Sequence, residues 1–477
     1  MSIRKLGKQS LIYGFGHVLA RLVTFLLLPL YTNVFTAREY GVVALFYTFL
    51  SFMNVIMRYG LGAAFLKFYV SADNSEKNAI FTNVIMSLFI TGIPFFLVWH
   101  GCRNFLSPII LGVHEPSFIS IMGIIIVLDT IWSIPLLGFR AENRPGTFII
   151  FSLLNVGITI GLNFSLILQM NMGIDAIFLS NLSASLVIFL LSLPFIYQRF
   201  EFVLLSKERW KSILTFALPF LPAGLFSMAM EVADRYILKL LTDLSTVGIY
   251  NAGYKVGMLM MLAVTAFNFG WQPFFLEQGR ESDQEEMFGK ITTFVLAGLG
   301  FIWLMLLLWA DDLIQLKIMG YSFFGEEFQQ SLPIVPWIAL GYLFYGFYVL
   351  QTPGIFLKDR PGIAAWTRLI GATSNILLCF LLIPLYGALG AAMATCLAFF
   401  IMFLVMYRWN TKLYPIQLEW KKLCLITVFL ISGFLVSNAA NDNQFTNILI
   451  TGLYPIGLIG FNVIRFDLLK EWASRLL

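Results

Sequence analysis

Gly138-Phe139-Arg140-Ala141-Glu142-Asn143-Arg144-Pro145-Gly146 has an echo later in the chain, Gly354-Ile355-Phe356-Leu357-Lys358-Asp359-Arg360-Pro361-Gly362. Each copy closes on Arg-Pro-Gly. Each leads into an apolar run that carries an Asn (Asn163, Asn375) and then a Gly (Gly173, Gly387). A second echo sets Thr36 to Gly41 against Thr242 to Gly248, followed by Tyr47 in the first copy and by Tyr250 or Tyr254 in the second. Six long apolar stretches separate the copies. An even number of membrane crossings preserves orientation, so the two halves are expected to be parallel, related by an axis along the membrane normal.

The runs around these echoes place the chain in a membrane. Of 477 residues, 59% are hydrophobic and only 12% charged, about half the charge share of roughly 25% in soluble domains. That composition excludes a soluble enzyme, a nucleic-acid reader and a disordered scaffold. A membrane helix needs roughly 20 apolar residues. Stretches of that kind start near Gln9, Tyr40, Ala79, Pro116, Thr147, Gly173, Ser212, Thr246, Ile291, Ser331, Pro361, Gly387, Lys422 and Phe445. Arg4, Lys5 and Lys8 ahead of the first could mimic a secretory signal, but the run outlasts one and reads as a retained span. With the N-terminus cytoplasmic, the inner connections collect 21 Lys and Arg and the outer ones only Arg38, Arg103 and Lys317, so 3. That asymmetry predicts fourteen spans with both termini in the cytoplasm.

The expected fold is therefore all-α: a six-helix lobe over residues 1–200, a second over 201–410 and two further transmembrane helices over 411–477. The lobes should form a V around a central cleft, with the last two spans packed outside it. Cys102, Cys379, Cys396 and Cys424 have no Cys-x-x-Cys spacing, so neither metal nor redox chemistry is expected, and no cofactor.

Taking 21 and 3 from 31 leaves seven cations inside spans: Arg21, Arg58, Lys67, Arg235, Lys239, Lys255 and Arg368. Four acids accompany them: Asp129, Asp175, Glu231 and Asp234. A charge at mid-bilayer costs about 2.5–3.5 kcal/mol on insertion scales and should face a cavity or a partner. Lys67 and Lys239 lie near span ends and can snorkel. Asp175 suits a helix N-terminus. In the seventh span Glu231, Arg235 and Lys239 are spaced by four, with Asp234 beside them, and Pro219 and Pro222 should bend that span. The stripe reads either as a self-neutralising ladder or as a functional face. In the first span His17, Arg21 and Thr24 share a face, and in the second Asn54 and Arg58 do. The balance of seven cations against four acids suits an anionic solute, and arginine favours phosphate through bidentate hydrogen bonds.

Leu28-Pro29-Leu30-Tyr31-Thr32 followed by Glu39-Tyr40-Gly41 resembles the opening of the polysaccharide flippases, within the multidrug/oligosaccharidyl-lipid/polysaccharide exporter superfamily. Asp234-Arg235-Tyr236, Val247-Gly248-Ile249-Tyr250 and Tyr254-Lys255 are similar to that family's seventh and eighth spans. Asn375 to Pro384, Gly387, Gly390-Ala391-Ala392 and Ala394-Thr395 look like its eleventh and twelfth. The resemblance implies a transporter, not an enzyme, that moves an undecaprenyl-diphosphate-linked oligosaccharide from the inner to the outer leaflet of the bacterial cytoplasmic membrane. Its product would be a surface polysaccharide such as O-antigen, capsule or exopolysaccharide, and a glycan polymerase machinery would be a partner.

Arg21, Arg58, Arg235, Lys255 and Arg368 are the substrate-binding candidates. Arg21, Arg58 and Arg235 are expected to line one cavity around the diphosphate. No Gly-x-x-x-x-Gly-Lys-Ser/Thr loop is present, so ATP is not expected to drive the step directly. An inside-negative potential drives an anion outward, and Asp129, Glu231 and Asp234 are the candidate sites for a coupled H⁺ or Na⁺. Sibling readings are a drug exporter or a peptidoglycan-precursor flippase. A reading of a different class is a membrane glycan polymerase or ligase.

Overall fold

The computed structural model describes residues 25, 27–142, 144–279, 284–318, 321–440 and 443–463. Among these the chain is almost wholly helical. Its elements are α1 (Leu28–Val34), α2 (Ala37–Arg58), α3 (Leu61–Ser71), α4 (Asn74–Gly101), α5 (Arg103–Ile110), α6 (Pro116–Ala141), α7 (Pro145–Phe164), α8 (Asp175–Arg199), α9 (Lys207–Ala217) and α10 (Phe220–Leu241). There follow α11 (Leu244–Gly257), α12 (Leu259–Gln278), α13 (Gln284–Gln315), a hairpin of β1 (Lys317–Ile318) and β2 (Tyr321–Ser322), α14 (Ile334–Leu350), α15 (Pro353–Leu357), α16 (Pro361–Leu413), α17 (Trp420–Ala439) and α18 (Gln444–Gly460).

Eleven helical segments among the described residues are long and apolar enough to cross a membrane, which makes this a multi-pass membrane protein. The 53-residue α16 covers the eleventh and twelfth predicted spans. It kinks at Gly387, whose φ of 56° is open to glycine without strain, three residues after Pro384. The last predicted span is the 17-residue α18. The start of the first, with His17, Arg21 and Thr24, lies outside the described residues. The fourteen predicted crossings are therefore not all counted here. The seventh span is interrupted as its prolines require: α9 ends at Ala217, Pro219 follows, and α10 begins at Phe220.

The chain groups into two compact units. One runs to Asn251 and includes Cys379–Ala388; the other holds Ala252–Leu378 and Leu389 onward. In the first unit α8 packs along α6 and α7, α4 on α6, and α10 on α2. Its core is aromatic and aliphatic, with Phe65, Phe81, Val84 and Ile134 fully or nearly fully buried. In the second unit α13 packs on α14 and α17, and α17 on α18.

Both sequence echoes have structural counterparts. In each Arg-Pro-Gly copy the Arg backbone N–H bonds the carbonyl five residues back, Arg144 to Phe139 and Arg360 to Ile355, both at 2.8 Å. The proline then opens the following helix, where its missing N–H costs nothing. In the second echo the Thr36 side chain caps α2 in a capping box with Glu39, and Asp243 accepts the Thr246 N–H at 2.8 Å at the start of α11. Five residues past each of these caps lies a glycine, Gly41 or Gly248.

The two glycines face each other in a near-symmetric crossing. A Cβ on Gly41 would stand 2.0 Å from the Leu244 carbonyl oxygen, and one on Gly248 would stand 2.0 Å from the Ala37 carbonyl oxygen. Only glycine allows that backbone approach. Gly41→Ala and Gly248→Ala should each lower the unfolding temperature of the solubilised protein, by a cost of about 1–3 kcal/mol or more. Gly157→Ala, where nothing stands within 4 Å, is the control. Equal melting of all three variants and the parent would refute the crossing.

Candidate functional site

Two polar clusters lie within the helices of the first unit. The first is built on the end of α2. Arg58 is its last residue; Tyr59 (φ 28°) and Gly60 (φ 80°) then break the chain before α3. The Arg58 guanidinium reaches the Asp129 carbonyl on α6 through Nη2, at 3.5 Å. Its Nε is buried and has no hydrogen-bond partner. Asn54, one turn earlier on the same face, also has a buried, unpartnered Oδ1. A buried polar atom left unpaired costs about 1–3 kcal/mol, so two on one helical face are an uncommon feature.

Asp129 completes this cluster. Its Oδ1 accepts from Trp132 Nε1 at 3.0 Å and from Ser185 Oγ at 2.6 Å. Trp132 is one turn along α6, and Ser185 comes from α8, which packs closely on α6. No carboxylate–guanidinium ion pair within 4.0 Å joins Asp129 to Arg58 among the described residues. The arginine therefore keeps its charge close to an acid without being saturated by it.

The second cluster is on α10 and is densely hydrogen-bonded. Asp234 is fully buried and Arg235 is 6% exposed. Asp234 Oδ1 accepts the Arg235 backbone N–H at 2.8 Å and its Nη1 at 2.9 Å. The Tyr250 hydroxyl donates to Asp234 Oδ2. Arg235 also gives Nη1 to the Glu231 carbonyl at 2.8 Å and Nε to Asn251 Oδ1 at 3.3 Å, with the Tyr250 ring 5.6 Å from its guanidinium carbon. Among the described residues Arg235 thus bonds its sequence neighbour Asp234, the Glu231 backbone oxygen and Asn251.

Lys239 leaves the predicted stripe altogether. Its Nζ caps α5, donating to the Pro108 carbonyl at 3.1 Å and to that of Ile109, where a helix C-terminus favours a cation. Lys67 is exposed, with its ammonium 3.7 Å over the Phe216 ring. Asp175 opens α8, as its position predicts.

The structure brings Arg58 to Asp129, and Arg235 to Asp234 and the Glu231 backbone. It sets the two clusters apart. Gly224 of α10 lies against Val55 of α2, and the Tyr236 hydroxyl reaches the Leu45 carbonyl at 3.4 Å, so the two helices run antiparallel. Arg58 lies three residues beyond Val55 and Arg235 eleven beyond Gly224, in opposite directions, which at 1.5 Å per residue sets the arginines roughly 21 Å apart along the helices. Lys255 on α11 is half-buried, and Arg368 on α16 is exposed; both belong to the second unit. Cys379 and Cys396 are buried, whereas Cys102 and Cys424 are exposed. No cluster of His, Cys and acids suited to a metal occurs among the described residues. Sequence reading had Asn54 and Arg58 on one face but missed Trp132, Ser185 and Asn251. Trp132 was accessible by helical spacing from Asp129; Ser185 arrives from another helix.

Comparison with known proteins is consistent along the chain. Residues 6–277 match the model of the family described as "Polysaccharide biosynthesis protein". An uncharacterized membrane protein, MJ1068 of Methanocaldococcus jannaschii, is 20% identical over 97% of this chain and 96% of its own length. The probable flippase AglR of Haloferax volcanii is 25% identical over 61% of this chain and 60% of its own. Among solved structures, the lipid II flippase MurJ in an inward closed conformation superposes with a TM-score of 0.77 at 16% identity, covering 94% of this chain and 99% of MurJ. An inward-facing MATE family multidrug resistance transporter superposes at 0.62 and 12% identity, over 86% and 94%. With more than half of its length inside the family model and the fold shared with these transporters, the chain belongs to the polysaccharide biosynthesis protein family and has the fold of the multidrug/oligosaccharidyl-lipid/polysaccharide exporter superfamily.

Proposed function

We propose that this protein flips a polyprenyl-diphosphate-linked oligosaccharide between the leaflets of the cytoplasmic membrane, inner to outer, with both termini cytoplasmic. The observation that carries the reading is the Arg58–Asn54 face: a buried guanidinium Nε and a buried amide oxygen, one turn apart and unpartnered. A diphosphate oxygen would accept from the first, and a sugar hydroxyl would donate to the second. Two relatives support the class of substrate, since their names are a probable flippase and a probable low-salt glycan biosynthesis flippase. Arg21, Lys255 and Arg368 stay in the proposal as further cations on the headgroup's route. Arg235, already held by Asp234, is assigned to holding α10 and α11 together.

For coupling we assign Asp129 the leading role among the three acids. Among the described residues its carboxylate accepts from Trp132 and Ser185, both neutral, whereas Asp234 is committed to Arg235 and Tyr250. Uptake of H⁺ or Na⁺ at Asp129 would remove the charge beside Arg58 and change that arginine's hold on phosphate. The membrane potential contributes about 2.3 kcal/mol per charge per 100 mV to moving the anion outward.

The test is flipping of a labelled lipid-linked glycan in proteoliposomes under imposed potential and ion gradients. The expected result is acceleration by an inside-negative potential or a cation gradient, with the cation response lost in Asp129→Asn. Acceleration by ATP alone would overturn the scheme. Transport of lipophilic drugs in place of the glycan would favour the drug-export reading.

A further inference from the structure

The second copy of the Arg-Pro-Gly motif places its charges differently from the first: Arg140, Glu142 and Arg144 in one, Lys358, Asp359 and Arg360 in the other. In the first copy Glu142 is an anion sink: it pairs with Arg199, stands 3.9 Å from Arg144 and accepts the Tyr69 hydroxyl at 2.6 Å. The corresponding position in the second copy is Lys358. At that position a cation replaces the carboxylate, and the acid of this copy, Asp359, stands one residue later. Lys358 and Arg360 are both exposed, and neither has an ion pair among the described residues.

This unpaired charge stands at the mouth of a groove. The start and end of α16 lie side by side across the Gly387 kink: Arg360, Trp366 and Trp409 line one groove, and Asn375 donates to Thr395 at 3.2 Å. Between them is an open groove of about 630 Å³, lined by Arg360, Ile363, Trp366, Ile370 and Trp409, with Asp359 at its edge. The lining is mostly apolar, and its two tryptophans are open: Trp366 is 66% exposed and Trp409 43%. Lys412 sits beside the groove, its ammonium 5.8 Å from the Trp409 ring. Arg408, one residue before Trp409, is exposed as well. Lys358, Arg360, Arg408 and Lys412 against Asp359 give this end of α16 a net charge of +3 (4 − 1). All of these residues lie in the second unit.

An apolar slot walled by tryptophan, with surplus cations at one end, matches the two parts of one ligand. Tryptophan lies at the headgroup level of a bilayer, and clustered Lys and Arg beside a span attract anionic lipid. The apolar surface continues along the first limb through exposed Ile370 and Leu377, the path an acyl chain would follow. We propose that this groove is a binding site for an anionic glycerophospholipid. Arg360 and Lys412 hold its phosphate, and a chain lies over Trp366 and Trp409. The proposal shares no residue with the Arg58 cluster and does not depend on what that cluster transports.

The test uses full-length protein in nanodiscs and brominated lipids, which quench nearby tryptophan. The chain has 11 tryptophans, so the signal is the difference between the parent and the Trp366→Phe/Trp409→Phe double variant. At equal mole fraction, brominated phosphatidylglycerol should quench this difference signal several times more than brominated phosphatidylcholine. Arg360→Gln/Lys412→Gln should bring the two lipids close to equal quenching. Where that pair does not yield folded protein, raised salt replaces it, and the preference must fall as charge is screened. Equal quenching by the two lipids overturns the proposal, as does a preference that survives both charge removal and salt. If unlabelled polyprenyl phosphate displaces the brominated phosphatidylglycerol better than unlabelled phosphatidylglycerol does, the groove belongs to the carrier lipid and the assignment to a glycerophospholipid is wrong.

Discussion

Arg58→Ala is expected to lower glycolipid flipping by about a hundredfold while leaving protein level and membrane insertion intact. A charge-assisted hydrogen bond formed in a desolvated site is worth about 2–5 kcal/mol on truncation of one partner, and each 1.4 kcal/mol is a factor of ten. Structural damage should be slight, because among the described residues the side chain makes one long hydrogen bond, 3.5 Å to the Asp129 carbonyl, and its Nε is already without a partner. Arg58→Lys should recover little. Lysine keeps the charge but not the planar set of donors that grips phosphate. Asn54→Leu should fall between parent and Arg58→Ala, since it removes one contact to the sugar side and no charge. The measurement is flipping in proteoliposomes beside a thermal-unfolding curve for each variant. Normal flipping in Arg58→Ala would remove the basis of the proposed function, whatever the other arginines do.

The opposite pattern is expected at the second cluster. Asp234→Ala should cost about 3–5 kcal/mol of stability, because it leaves the Arg235 cation buried without its carboxylate. In cells that should appear as loss of folded protein before any loss of specific transport. Replacing both partners, Asp234→Met with Arg235→Met, should restore much of the stability, since apolar side chains of similar size remove the desolvation cost together with the pair. Yield and melting temperature in detergent check this. If Asp234→Ala is as stable as the parent, the pair is not structural. If the double variant folds but does not flip, the Asp234–Arg235 pair has a transport role besides its structural one, and the assignment of Arg235 to structure alone is wrong.

The contrast between the clusters shows how unlike charges in one membrane protein can be. Arg235 has donors used on three sides, by Asp234, the Glu231 carbonyl and Asn251. Lys239 is spent on the end of α5, and Lys67 lies over a ring at the surface. Arg58 alone among these four keeps an unsatisfied buried donor. Charge in a span therefore marks candidates, and hydrogen-bond accounting sorts them.

Much of the architecture was legible in the residues themselves. Apolar runs of span length have to become helices in lipid, because no water is there to pair the backbone; the long helices follow, with the break at Pro219 and the kink at Gly387. The two echoes were visible as strings of letters, and they became matching turns because proline and glycine restrict the backbone locally. Which face of α2 mattered was also readable, since Asn54 and Arg58 are one turn apart. What the sequence could not supply was the partner of each charge. The stripe Glu231, Arg235, Lys239 suggested a ladder by spacing alone, yet Arg235 turned to Asp234 and Lys239 to α5. Ser185 met Asp129 only because α8 packs on α6. The cations at the start and end of α16 became neighbours only when Gly387 folded the helix back. Helical periodicity is a property of one segment over a few residues. Pairing between segments is decided by how whole helices pack, and a buried charge takes whichever oxygen that packing places within reach.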